Sequence, residues 1–188
     1  MLNILKPGLV LFIFTTIAGI CLGFVFDVTK EPILQQELQA KALAMQQIFA
    51  IASEFRDYEV EFSEKMDIDS VTECFNSSGD RVGFIVGASE SGYSGIIEVL
   101  VAINLEGTIE GIAIVKQSET PGLGANAVLP KFTDQYIGKS GVLTVTKSES
   151  PSNTEIQAIT SSTITTVAVT GAVNRALQFF NDSEMGGK

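Results

Sequence analysis

Histidine and tryptophan are both missing from the 188 residues, and only two cysteines occur. Without imidazole there is no His-ligated metal or haem and no His-based triad. Cys21 sits in a long apolar run and Cys74 far beyond it; neither belongs to a C-x-x-C pair, which argues against zinc and iron–sulfur sites. Cys74 is expected as a small core residue. Cations are scarce too: 12 Lys and Arg against 22 Asp and Glu leave a formal charge of −10, with no basic stripe. A nucleic-acid surface needs clustered positive charge, so nucleic acid is not expected as a partner. The acidic balance instead serves solubility. Any redox chemistry on this chain has to reside in an organic cofactor.

What is abundant is hydrophobicity near the start. Residues 9–26 read LVLFIFTTIAGICLGFVF, about eighteen residues without a charge, enough to cross a hydrocarbon core of ~30 Å. A cleaved signal peptide has a shorter apolar region, ~7–15 residues, followed by a small-residue cleavage site. Phe24-Val25-Phe26-Asp27 offers no such ending. The expectation is a retained single transmembrane helix over 9–26. Lys6 precedes it and Asp27 follows, with Lys30 further on. The positive-inside rule then makes residues 1–8 a short cytoplasmic N-terminus and puts the rest on the extracytoplasmic side. Gly19-x-x-x-Gly23 permits close packing against other membrane helices, and Thr15 and Thr16 can bond across such an interface or back to their own carbonyls.

Residues 27–66 read as a connecting helix and lead-in. Glu31-Pro32 suits a helix start, and Ile33, Leu34, Leu38, Ala42, Met45, Ile48 and Phe49 recur at helical spacing as far as about Ile51. Ala52 to Met66 is expected as loop with a short strand at Tyr58–Phe62. Residues 67–180 form the main domain, with strands predicted at 69–75, 81–88, 96–103 and 109–116, separated by turn clusters at Asn76–Asp80 and Asn104–Thr108. Strands joined by short turns give an antiparallel sheet. A short helix or turn over 128–136, a strand at 142–146, a loop over 148–153 and a helix from Thr163 to Phe180 complete it; residues 181–188 read as a flexible tail. The fold class is α+β: a single N-terminal transmembrane helix, then one domain with a twisted antiparallel sheet flanked by helices.

Three stretches stand out. Thr160 to Thr166 packs six hydroxyls into seven residues before the terminal helix. Such hydroxyls can cap the orphan amides of a helix start, and the same start is a ready phosphate site. Tyr93-Ser94-Gly95 lies in a glycine-rich loop, Ser89 to Gly95. Glu119-Thr120-Pro121-Gly122-Leu123-Gly124 has a Pro-Gly pair suited to a type II turn.

Together these resemble the FMN-binding domain family, nearest to the G component of the Rnf ion-translocating electron-transport complex and related to the C component of the sodium-translocating NADH:quinone reductase. The hexapeptide at 119–124 matches that family's signature without a departure. The glycine loop resembles its Gly-Tyr-x-Gly-x-Ile stretch. IQAITSSTIT resembles its flavin-attachment motif, in which a threonine is esterified by the FMN phosphate; on this chain that threonine is Thr163, with Ser162 and Thr165 behind it. Thr160 stands for the usual Ser, Ser161 for Gly, Ser162 for Ala and Gln157 for an acidic residue. All are small-for-small except the last, and Ser161 gives up glycine's easy access to positive φ.

The resemblance implies a membrane-anchored flavoprotein that carries electrons through covalent FMN inside an Rnf-type complex. Such a complex couples ferredoxin:NAD electron transfer to ion translocation, and the chain serves as one part of it that does not turn over alone. It implies other membrane subunits as partners and a flavin transferase for maturation. It places Thr160, Ser161, Ser162, Thr163, Thr165, Glu119, Thr120, Gly122, Leu123, Gly124, Tyr93, Ser94 and Gly95 near the FMN, with Glu119 and Thr120 able to bond polar ring edges. Lys147 is a further candidate, since a cation near the flavin favours its anionic reduced forms. Two alternatives stay open: the C component of a sodium-pumping quinone reductase, and a cofactor-free anchored module whose hydroxyls merely cap a helix.

Overall fold

The computed structural model describes residues 2–58 and 68–183. The strand expected at Tyr58–Phe62 lies, beyond Tyr58, outside the described residues, as does the end of the tail. The chain divides into two compact units, Met1–Lys41 and Ala42–Lys188.

A single helix, α1 (Leu2–Ile48), carries the apolar run. The sequence favours two helices with a fresh start at Pro32; instead α1 continues through both Pro7 and Pro32. Proline removes one backbone donor, a loss that an otherwise intact ladder of hydrogen bonds can absorb. From Lys6 to Ala40 every side chain is exposed, including Leu9, Phe12, Ile17, Leu22 and Phe26. The helix is long and apolar enough to cross a membrane. Its threonines bond inward to their own backbone: Thr15 Oγ1 and Thr16 Oγ1 donate to carbonyls one turn earlier, at 3.0 and 2.8 Å. In lipid that satisfies hydroxyls without a partner helix.

The second unit is built on a five-stranded antiparallel meander, β1 (Glu54–Asp57), β2 (Ile68–Phe75), β3 (Arg81–Ser91), β4 (Ile96–Asn104) and β5 (Ile109–Lys116), in spatial order 1-2-3-4-5. Strand β1 falls where a loop was expected. β3 runs three residues past its expected end, to pair Ser91 with Ile96. Alternation along β4 sorts its side chains: Ile97, Val99, Val101 and Ile103 enter the larger core cluster, Leu100 and Ala102 a smaller one. The larger core is closed by α3 (Thr163–Asp182), which contributes Val169, Val173, Ala176, Leu177 and Phe180. The smaller contains Phe49 and Cys74, with Met45 and Ile48 from the end of α1 packed against it. Glycines make this second layer fit. A Cβ on Gly83 would run into the Ile103 carbonyl and the Phe49 ring, and one on Gly111 would sit 2.7 Å from the Ile48 carbonyl oxygen.

Between β5 and α3 the chain is mostly turns: a 3-10 turn at Gly124–Val128, the one-turn helix α2 (Pro130–Thr133), and a second 3-10 turn at Asp134–Tyr136. The strand expected at 142–146 shortens to β6 (Thr144–Thr146), which pairs in parallel with β7 (Glu155–Gln157), a strand the sequence did not suggest. That pairing delivers the chain to the hydroxyl cluster. Ala158 N–H bonds the Thr146 carbonyl at 2.8 Å, and Gln157 N–H bonds Gln135 Oε1 at 2.8 Å.

Candidate functional site

Three separate segments converge on one cavity of about 550 Å³: Tyr93 from the β3–β4 loop, Glu119, Thr120, Leu123 and Gly124 from the hexapeptide, and Ser161 to Thr165 from the start of α3. A second cavity of about 460 Å³ shares Leu123 and Ser161 with the first and adds Gly122, Lys131, Gln135, Gln157 and Thr160 over an apolar base that includes Phe132 and Ile159. The residues singled out from sequence are thus brought together, with three exceptions. Ser94 and Gly95 stand in the neighbouring loop and line neither cavity, and exposed Lys147, after β6, also lines neither. The cation that does line one is Lys131. Ile164, Gln135 and Lys131 were missed because nothing in their local sequence sets them apart. Gln157 was noted only as a replaced acid.

The hexapeptide folds as its Pro-Gly pair demands. Gly122 has φ +77°, and Leu123 N–H returns to the Thr120 carbonyl at 3.1 Å. Asn126 Nδ2 then holds the Gly122 carbonyl at 3.0 Å. Glu119 is buried, and each of its carboxylate oxygens already accepts a bond from the protein: Oε1 from Ser94 N–H at 2.8 Å, Oε2 from the Thr165 hydroxyl. The carboxylate faces the fold's own donors.

The hydroxyl cluster divides into distinct roles. Thr166 Oγ1 donates to the Ser162 carbonyl at 3.1 Å and accepts from Ile159 N–H at 3.0 Å, stapling the turn to the helix. Thr165 is spent on Glu119. Ser161 turns the chain with φ +63°, the one non-glycine residue with positive φ among the described residues. It therefore occupies the backbone region that the family's glycine would reach at no cost.

Ser162 sits in the N-cap position of the 20-residue α3, yet its side chain makes no capping bond. Its Oγ is the one buried side-chain oxygen or nitrogen among the described residues without a partner. The first-turn amides of α3 are therefore not capped by this side chain, and residues 161–165 around this desolvated hydroxyl line the cavity. Orphan helix-start amides with the positive end of the helix dipole attract an anion. No group of three or more His, Cys, Asp or Glu placed to hold a metal occurs among the described residues.

A family model described as FMN-binding domain matches residues 92–178, the span that supplies all three walls, and one described as RnfG N-terminal region matches residues 1–48. The G component of the Na(+)-translocating ferredoxin:NAD(+) oxidoreductase complex of Acetobacterium woodii is 34% identical over 95% of this chain and 92% of its own length. The chain belongs to the RnfG family. A second RnfG relative, from the proton-translocating ferredoxin:NAD(+) oxidoreductase complex of Clostridium ljungdahlii, is 34% identical over 86% of this chain and 83% of its own. Among solved structures, the C component of the Na(+)-translocating NADH-quinone reductase from Parabacteroides distasonis superposes with a TM-score of 0.61 at 17% identity, covering 82% of this chain and 96% of that one. The RnfG domain thus shares its fold with that quinone-reductase component.

Proposed function

We propose that this RnfG-family protein is a membrane-anchored, FMN-carrying subunit of an ion-translocating ferredoxin:NAD oxidoreductase complex, with FMN phosphoester-linked to Thr163. The observation that carries the reading is the start of α3, which has no side-chain cap and whose Ser162, with a buried, unpartnered Oγ, lines the same cavity as Thr163. Those groups suit a phosphodiester formed from FMN: hydroxyl and amide donors, the positive end of a helix, and a half-buried Thr163 hydroxyl as the second ester oxygen. A helix-capping cluster without a cofactor would spend the Ser162 oxygen on its own amides, which is not what α3 does.

FMN, when bound, supplies one- and two-electron redox chemistry; the chain supplies position and surroundings. Thr163 would carry the phosphate, and Ser162 and the first-turn amides of α3 would supply its donors. Thr120, Leu123 and Tyr93 line the remaining wall of that cavity. Thr160, Gly122, Gln135, Gln157 and Lys131 shape the adjoining one. Maturation falls to a flavin transferase using FAD: the Thr163 Oγ–phosphorus bond forms as the pyrophosphate bond breaks, AMP leaves, and the hydroxyl proton passes to solvent. Lys6 before the apolar run and Asp27 after it favour a cytoplasmic N-terminus and a flavin domain on the extracytoplasmic side. A covalent link there keeps the cofactor from being lost by diffusion.

The test is mass spectrometry of the denatured chain after co-expression with a flavin transferase. A single FMN adduct on the Thr163 peptide, absent from Thr163→Ala, is expected. An unmodified wild-type chain beside an active transferase refutes the linkage.

A further inference from the structure

We propose that Glu119 is the positioning residue of this site: its carboxylate holds the start of α3 so that Thr163, and not Thr165, offers its hydroxyl for esterification. The proposal rests on the FMN reading above and names how the acceptor is selected.

Glu119 is only 6% exposed. A carboxylate taken out of water must be repaid in hydrogen bonds, and its donors come from two distant parts of the chain. Ser94 N–H belongs to the β3–β4 loop, 25 residues away, and the Thr165 hydroxyl to the first turn of α3, 46 residues away. The Glu119 amide is itself fixed by Gln117 Oε1 at 2.6 Å. One side chain therefore ties the glycine loop, the hexapeptide and the helix start together.

The glycines around it show what the surroundings are shaped for. A Cβ on Gly92 would stand 2.7 Å from Glu119 Oε1; one on Gly124 would stand 2.6 Å from Oε2 and 2.5 Å from Thr165 Oγ1. Neither glycine has positive φ. It is space, not backbone freedom, that keeps both positions small: beside the carboxylate and Thr165 at Gly124, and beside the carboxylate and the Ile97 side chain, also 2.7 Å away, at Gly92. Gly92 opens the glycine loop and Gly124 closes the hexapeptide, so both motifs carry a residue that makes room for Glu119.

Helical geometry turns this clamp into a selection. Successive helical residues are about 100° apart, so Thr163 and Thr165 project about 200° apart. Both residues line the cavity, but Thr165 is held against Glu119 at 1% exposure while Thr163 is only half-buried and so offers the more accessible hydroxyl. Freed from Glu119, the first turn loses its rotational anchor, and the two hydroxyls compete.

The test uses the full-length chain in detergent, as wild type, Glu119→Ala, Glu119→Gln and Gly124→Ala. Each is co-expressed with a flavin transferase, and fragmentation mass spectrometry assigns the adduct to Thr163 or Thr165. Ser94 amide exchange is followed in parallel on flavin-free protein. In Glu119→Ala the preference for Thr163 should fall about tenfold, the population change expected from losing one charge-assisted hydrogen bond. Ser94 exchange should quicken. Glu119→Gln can keep both links, its Oε1 accepting from Ser94 N–H and its Nε2 donating to the Thr165 hydroxyl oxygen, so it should restore both Thr163 selectivity and slow Ser94 exchange. Gly124→Ala should reproduce Glu119→Ala. Folded Glu119→Ala protein modified at Thr163 alone, at wild-type occupancy, overturns the proposal. So does a uniform loss of occupancy in both Glu119 variants without any change of site. A wild-type chain with no adduct overturns the FMN reading beneath it, a result recognisably different from either.

Discussion

Ser161→Gly should stabilise the protein, and the size of the gain can be worked from one dihedral. Ser161 holds φ +63°, where an L-residue pays roughly 1–2 kcal/mol for the approach of its Cβ to the backbone. Glycine removes that cost but widens the unfolded ensemble, which gives back about 0.4–1 kcal/mol. The net is a stabilisation of between roughly 0 and 1.6 kcal/mol, centred near 0.8 kcal/mol, or about 2–3 °C in Tm for a chain of this size. The Ser161 side chain is exposed, so its removal takes away little packing. Ser161→Ala is the control: it deletes the hydroxyl, keeps the strain, and should stay within about 0.5 kcal/mol of wild type. Urea and thermal melts of the flavin-free, full-length chain in detergent, followed by circular dichroism, measure all three. Alanine stabilising as much as glycine would show that the hydroxyl, not the backbone, carries the cost. A glycine variant less stable than wild type would refute the dihedral argument altogether.

Ser162→Ala separates a cap from a ligand-facing hydroxyl. Replacing a true N-cap serine costs about 0.5–2 kcal/mol, whereas removing an unpartnered buried hydroxyl should leave the flavin-free chain unchanged or about 1 kcal/mol more stable; a urea melt showing cap-sized loss contradicts the uncapped start. Stability should also fall as pH rises above about 9. Burial pushes the Cys74 thiol from 9.0 up to about 12, and burial raises the Tyr136 hydroxyl above its ordinary 10.0 against a hydrogen bond with Thr170 that opposes the shift. The unfolded chain releases these protons first, so the folded state binds more protons over that range and loses stability as pH climbs, by up to ~1.4 kcal/mol per pH unit for each group. Between pH 9 and 10 the slope belongs to Cys74, and Cys74→Ala should flatten it in pH-dependent melts; an unchanged slope there assigns the effect elsewhere.

Much of the fold was legible because it is written in local pattern. Alternation along β4 and turn clusters such as Asn104–Thr108 located the hairpins, and Ile109–Lys116 emerged as a strand with the expected bounds. Thr163 was recognisable as the start of α3 because a hydroxyl run gives way there to Val169, Val173 and Leu177 on one face. What stayed hidden depends on partners remote in sequence. Strand β7 is three residues long and exists through pairing with β6, across a loop that no local signal closes. The break expected at Pro32 follows the usual cost of a helical proline, but α1 runs through it as one helix. Glu119 is expected near the ring and does line the cavity; what its local sequence does not show is the meeting of Ser94, Gly92, Gly124 and Thr165 around its carboxylate.

Remote partners of this kind also let a motif with two extra serines keep its geometry. Replacing the usual glycine and alanine by Ser161 and Ser162 adds two hydroxyls and removes one residue suited to positive φ. Ser161 nevertheless adopts φ +63°, so the turn into α3 keeps the shape that glycine allows. Ser162 does not fold back to cap the helix, so the first-turn amides are left without a cap from it. Neither substitution displaces Thr165 from Glu119 or Thr166 from Ile159 and the Ser162 carbonyl. On the reading proposed above, those inward bonds, rather than the small residues themselves, select which hydroxyl is offered. On that same reading a sequence can vary at Ser161 and Ser162 at the cost of some strain and an unpaired hydroxyl, with Glu119, Thr165 and Thr166 left to preserve the presentation of Thr163.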